Sequence, residues 1–97
     1  MANAGPIGSY NYAYMAAAAT LVVRTGPGIL HAITINDPTT NSVVTVYDNG
    51  AASGQKIATI DASQALGSLV YDINFLTGLT IVMSAANSDI TIAWSPL

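Results

Sequence analysis

Apolar and polar side chains alternate along much of this chain. The clearest case is Ser68-Leu-Val-Tyr-Asp-Ile-Asn-Phe75, where Leu69, Tyr71, Ile73 and Phe75 point one way and Ser68, Asp72 and Asn74 the other. A period of two is the mark of a strand with one dry and one wet face. Leu79, Ile81 and Met83 repeat the pattern, and Ile90, Ile92 and Trp94 repeat it again near the C-terminus. Between Ile29 and Ile60 the signal comes from β-branched residues. Leu30–Asn36 and Ser42–Asp48 flank Asp37-Pro-Thr-Thr-Asn41, whose proline presets a turn and predicts a hairpin. Asn49–Gln55 then supplies an Asn-Gly pair that takes positive φ at little cost, before Lys56–Ile60 resumes the strand. The three segments together predict a meander.

The N-terminal part reads differently. Met1–Tyr12 neither alternates nor repeats at helical spacing, which predicts an extended arm over residues 1–14, with a terminus lacking fixed structure as the competing reading. If extended, it sets Tyr10, Tyr12 and Tyr14 on one side, where they would suit docking onto a neighbouring surface. In Ala16–Ala19 four alanines favour helix, but Thr20-Leu-Val-Val23 favours strand and Gly26-Pro27-Gly28 closes the segment early. A helix there would be short and marginal, so a strand is expected from Met15 to Arg24. Asp61–Gly67 reads as a loop, with Asp61 able to cap one helical turn, and Ala85–Ser88 reads as the last turn. Seven strands separated by regular turn signals predict an all-β domain over residues 15–97. Its expected form is an antiparallel β-sandwich or jelly-roll-like barrel of about seven strands, with an extended N-terminal arm.

Composition narrows the role. The chain has 97 residues, of which 52% are hydrophobic and only 7% charged, where an average soluble domain carries about 25% charged residues. A domain of this size buries only roughly 60–65% of its unfolded surface, so much of that apolar content must find another outlet. The longest apolar run, Ala13–Val23, is too short for a membrane helix, and no basic residue precedes it as in a signal peptide. A soluble chain without targeting, buried in a protein assembly, is the expectation. Two basic and five acidic side chains give a net charge of -3, which leaves no basic patch for nucleic acid. Cysteine is absent, so disulfides and thiolate metal sites are excluded.

Candidate chemistry is sparse. His31 is the single histidine and is expected to share a strand face with Ile29, Ile33 and Ile35. Acid–base work would need a carboxylate partner that spacing alone does not place, so a hydrogen-bonded role at the core edge or in a subunit contact is the favoured reading. The acids are Asp37, Asp48, Asp61, Asp72 and Asp89, mostly at strand ends and turns, where aspartate satisfies local backbone donors. They match no calcium-loop spacing, although a cation held between neighbouring loops is a competing reading. No nucleophile elbow, phosphate loop or zinc motif occurs, so no enzyme and no cofactor is expected. Trp94 could stack on a sugar, but its phase with Ile90 and Ile92 favours packing. Arg24 and Lys56 could each pair with an acid across a subunit contact, against solvation as the alternative.

Gly28–Asn36, Val44–Ile60 and Tyr71–Val82, with the rest of residues 28–94, resemble small all-β virion proteins of tailed bacteriophages, some of them similar to capsid cement or decoration proteins. That resemblance implies a structural protein on the virion, at the capsid surface. Its implied partners are the major capsid protein and copies of itself as a trimer or dimer, with neither nucleic acid nor membrane. The alternatives are a tail, fibre or baseplate module, or a small carbohydrate-binding β-sandwich using Trp94 or the tyrosines. The interaction candidates are Tyr10, Tyr12, Tyr14, Arg24, His31 and Trp94.

Overall fold

The computed structural model describes residues 10–63, 67–84 and 88–97. Its strands are β1 (Asn11–Met15), β2 (Ala19–Thr25), β3 (Gly28–Asp37), β4 (Val43–Tyr47), β5 (Lys56–Asp61), β6 (Gly67–Phe75), β7 (Gly78–Met83) and β8 (Asp89–Pro96). They form two antiparallel four-stranded sheets, ordered β1-β8-β3-β6 and β2-β7-β4-β5. The pairs β1·β8, β2·β7, β3·β6 and β4·β5 nest inside one another. The chain is therefore one long hairpin with its tip at β4–β5, rolled until β8 meets β3 and β7 meets β4. This double Greek key is jelly-roll connectivity. The expected all-β sandwich of about seven strands is what the chain adopts, with eight strands among the described residues.

The additional strand comes from the alanine segment. Asn11–Met15, read as the end of an arm and the first residue of a strand, pairs with β8 as β1, and Ala16–Ala18 turn the chain into the other sheet. Alanine carries no turn signal, so this break was invisible to a pattern search. The hairpin expected between Leu30–Asn36 and Ser42–Asp48 is also absent. β3 pairs with β6 and β8, while β4 lies in the opposite sheet, so Asp37–Ser42 is a crossing between layers. Proline ends the strand as anticipated, but where the chain goes next is settled by packing. The expected pairing of β4 with Lys56–Ile60 does form. The remaining turn expectations at residues 64–66 and 85–87, and the arm before Tyr10, lie outside the described residues.

Inward rows from the two sheets meet in one core. In the first sheet Ala13, Ile92, Ile33 and Leu69 form a row, with Met15, Ile90 and Ile35 beside it. In the second, Leu21, Ile81, Val46 and Ala58 lie beside Met83, Val44 and Ile60. Leu30, Ile33, Val44, Val46, Phe75, Leu79, Ile81, Ile90 and Ile92 are wholly buried. Packed sheets lie about 10 Å apart, so each buried residue meets the facing layer directly. Glycine is obligatory where backbones close in. A Cβ on Gly78 would lie 2.8 Å from the Arg24 and Asn49 carbonyl oxygens, and one on Gly28 2.7 Å from the Ser95 carbonyl oxygen.

Asp48 ties the hairpin tip to the β6–β7 crossing. Its carboxylate accepts the amides of Leu76 at 2.9 Å, Thr77 at 2.8 Å and Gly78 at 3.3 Å. The Thr80 hydroxyl reinforces the join by donating to the Asn49 carbonyl at 2.8 Å. Burial pushes the Asp48 carboxyl up, but the amides of Thr77, Leu76 and Gly78 outweigh it and hold the group below its ordinary value.

Two outcomes follow from this junction. Gly78→Ala forces backbone apart and should destabilise the domain by about 1–3 kcal/mol, measured by denaturant unfolding; an unchanged midpoint would contradict the close approach. The depressed Asp48 value means that the unfolded chain takes up a proton before the folded one does. Its stabilisation is therefore complete above the unfolded carboxylate range, near pH 4, and lost as pH falls through the folded value. Asp48→Asn should lower stability at neutral pH by roughly 1–3 kcal/mol, and the gap to wild type should close on acidification below about pH 4. A gap constant from pH 7 to 3 would remove the clamp from the account.

Candidate functional site

The outer face of the β1-β8-β3-β6 sheet gathers more of the candidate residues than any other described surface. Its central row crosses all four strands as Tyr12, Ala93, Ala32 and Val70. Tyr12 is 77% exposed and Val70 63%, and the two alanines between them are too small to fill the space. The row is therefore a shallow trough with an aromatic wall on β1 and an aliphatic wall on β6. Adjacent to it runs a polar row, Tyr14, Thr91, Thr34 and Ser68, in which the Thr34 and Ser68 hydroxyls lie 2.8 Å apart.

The end of that polar row is a hydrogen-bonded cluster around Asp89. The Tyr14 hydroxyl donates to its carboxylate at 2.5 Å, and Asn36 donates to it at 2.9 Å and to the Thr91 hydroxyl at 3.0 Å. The bond to Asp89 is the main reason the Tyr14 hydroxyl lies above its ordinary value, followed by burial and the negative charges of Asp89 and Asp37. A tyrosine restrained in this way stands proud of the sheet in one orientation.

On the far side of the trough lies His31. Its Nδ1 donates to the Asp72 carboxylate, and the Tyr10 ring stacks on the imidazole with centroids 4.2 Å apart and planes 4° from parallel. Two local irregularities make this possible. His31 is an additional residue in β3 between the positions paired with Trp94 and Ala93, and β6 takes up the mismatch with Tyr71 and Asp72, the latter at φ 50°. A bulge re-aims a side chain. Here it places His31 beside Ile29 but on the opposite face from the buried Ile33 and Ile35, contrary to the unbroken alternation expected from sequence. Asp72 is the carboxylate partner that spacing could not supply, because aspartate tolerates the left-handed backbone the bulge requires.

Asp72 also holds the imidazole in one tautomer, the first requirement of an acid–base relay. Both side chains lie on an open sheet surface, at 33% and 55% exposure, where solvent screens charge. The arrangement fixes Tyr10 over the sheet and completes an ordered tyrosine file along β1.

Arg24 and Trp94 stand apart from this face. Arg24 lies on β2, where its Nε donates to the Pro27 carbonyl at 3.3 Å. Trp94 is half-buried and packs against the core alongside Leu30, as its phase predicted, so it offers no exposed stacking platform. Among the described residues no group of three metal-ligating side chains occurs. No protein-family model matches the chain, and no curated protein does.

Charge is divided between the two sides of the sandwich. Asp37, Asp72 and Asp89 belong to strands of the tyrosine-bearing sheet, and neither lysine nor arginine accompanies them. Arg24 and Lys56, on β2 and β5, balance Asp48 and Asp61. The whole net charge of -3 therefore belongs to the sheet with the tyrosines.

The strained position gives a test with an unusual sign. Glycine in a strand is normally inferior to alanine, but at φ 50° the order reverses. Both Asp72→Gly and Asp72→Ala lose the bond to His31, and the alanine variant should be less stable by about 1 kcal/mol. Equal or greater stability of Asp72→Ala in thermal melts would show that the bulge relaxes.

Proposed function

We propose that this chain is a structural protein of a tailed-phage virion, a capsid cement protein that binds the outer shell between capsid subunits and stabilises it. The observation that carries this reading is the outward row in which exposed Tyr12 and Val70 flank half-buried Ala93 and buried Ala32, with Tyr14 beside it, on a domain that has only seven charged side chains. Exposed apolar strips with polar borders are contact surfaces. The jelly-roll connectivity supports the reading by association, since capsid and lectin domains both use it; fold alone does not decide function.

The physics of cementing suits a chain of this kind. A shell presents identical sites in a symmetric array, so each copy needs only modest affinity, and contacts among neighbouring copies add avidity. The partners in this reading are the major capsid protein and further copies of the chain, as a trimer or dimer. Its location is the capsid surface. A tail, fibre or baseplate position would use the same chemistry at far lower copy number.

Copy number and particle stability test it together. Quantitative mass spectrometry of particles purified from the source of this chain should find it near a simple ratio to the major capsid subunit. Particles lacking it should keep their shell but release DNA at a lower temperature. A few to a few dozen copies would transfer the protein to the tail, and equal heat resistance with and without it would overturn the cement role.

A further inference from the structure

We infer that the outer face of the β1-β8-β3-β6 sheet is the surface that docks, and that its partner is a protein surface bearing arginine or lysine. This rests on the cement reading above and adds which face binds and what chemistry it binds.

Three observations select the face and its occupant. The trough is ready for contact: its walls are Tyr12 and Val70, its floor is Ala32 and Ala93, and the tyrosines on either side are already restrained, Tyr10 by His31 and Tyr14 by Asp89. Restrained aromatic side chains lose little entropy when a partner covers them. Tyrosine is also among the residues that dominate interface energetics.

Charge then chooses between occupants. The sheet carries Asp37, Asp72 and Asp89 with no lysine or arginine, so a second copy placed face to face would bring both sets of carboxylates together. Like charges across an interface are strongly unfavourable. An anionic glycan or nucleic acid is repelled for the same reason. Arginine meets every feature present, because its guanidinium stacks on tyrosine rings and pairs with carboxylates. A neutral glycan could use the rings and hydroxyls but would leave the charge segregation without a role.

The third observation concerns the edges of the two sheets. β2, β5 and β6 each carry an additional residue that breaks their pairing, at Val23, Ile57 and the Tyr71–Asp72 bulge. Among the described residues, β1 is the one of the four edge strands that runs in unbroken register with its neighbour, and it carries Tyr12 and Tyr14. A regular edge beside the trough lets a partner approach close to the tyrosines.

The experiment uses shells of the source particle stripped of this protein, with the purified chain added back. Wild type should rebind, and raising salt from 50 to 500 mM should weaken rebinding by about tenfold or more, as expected for exposed charge pairs. Tyr12→Ala should weaken it by about tenfold, and the double variant Asp72→Asn, Asp89→Asn should both weaken it and flatten the salt dependence. Lys56→Gln, on the opposite sheet, should leave binding unchanged. Circular dichroism melts of each variant verify that the fold persists; a variant that melts early is replaced by Val70→Ser or Asp37→Asn, neither of which breaks a hydrogen bond described above and each of which should weaken rebinding.

Failure of wild type to rebind in any salt would overturn the cement reading itself. Wild-type rebinding that neither salt nor these variants alter would overturn the assignment of this face while leaving that reading intact. Loss in Tyr12→Ala without salt dependence would overturn the basic partner, as would retention of the chain on a neutral polysaccharide column abolished by the same substitution.

Discussion

Of the seven connections between the described strands, six carry the chain from one sheet to the other and β4–β5 stays within its layer. A sandwich built this way must cross repeatedly over its open ends without leaving backbone groups unpaired, and the remaining features answer to that constraint. The Asp48 carboxylate collects three amides of the β6–β7 crossing. Ser42 and Ser88 pair their buried hydroxyls at 2.7 Å near the β3–β4 and β7–β8 crossings, and the amide of Ala62 donates to the Ser42 carbonyl. Gly28 and Gly78 start strands where neighbouring backbone, that of Ser95 in β8 for the first and of Arg24 and Asn49 for the second, comes too close for any Cβ. Among the described residues no buried polar side-chain atom is left without a partner. In a chain this small, each unsatisfied group would remove an appreciable part of total stability.

Strands were legible because their evidence is local. Period-two alternation at Leu79, Ile81 and Met83, and at Ile90, Ile92 and Trp94, is produced by the same inward–outward geometry that the folded sheets display. Sheet membership was not legible, because it depends on which strands meet across the whole molecule. Asp37–Asn41 has the composition of a hairpin turn and serves as an interlayer crossing. Polar turn residues satisfy the backbone equally well in either setting.

The site shows the same division. The common side of Tyr12 and Tyr14 followed once that stretch was read as extended rather than as a terminus lacking fixed structure. The position of His31 did not, because one inserted residue changes the face of every position before or after it. Nothing in Leu30-His-Ala-Ile33 marks the insertion. The only hint lies on the partner strand, where Asp72 stands on the polar face of the Ser68–Phe75 alternation; aspartate is depleted in strands but at ease with positive φ. An isolated aspartate within a clean strand pattern is thus a signal for a bulge, and a bulge is a reason to distrust the face assigned to residues opposite it.

The bulges also bear on why so apolar a chain remains a defined object. Exposed sheet edges invite indiscriminate strand addition, and proteins with abundant surface charge suppress it by repulsion. With seven charged side chains this one lacks that resource. Its β2, β5 and β6 edges are instead irregular in the backbone, and Lys56 sits at the start of β5. That leaves β1, and there the defence is chemical: Tyr14 is hydrogen-bonded to Asp89, and Asp89 and Asp37 beside it present the same charge to every copy. A strand from another copy would have to bring like carboxylates alongside, whereas a basic surface would not. One arrangement of side chains therefore discourages self-assembly through this edge and favours a partner of opposite charge.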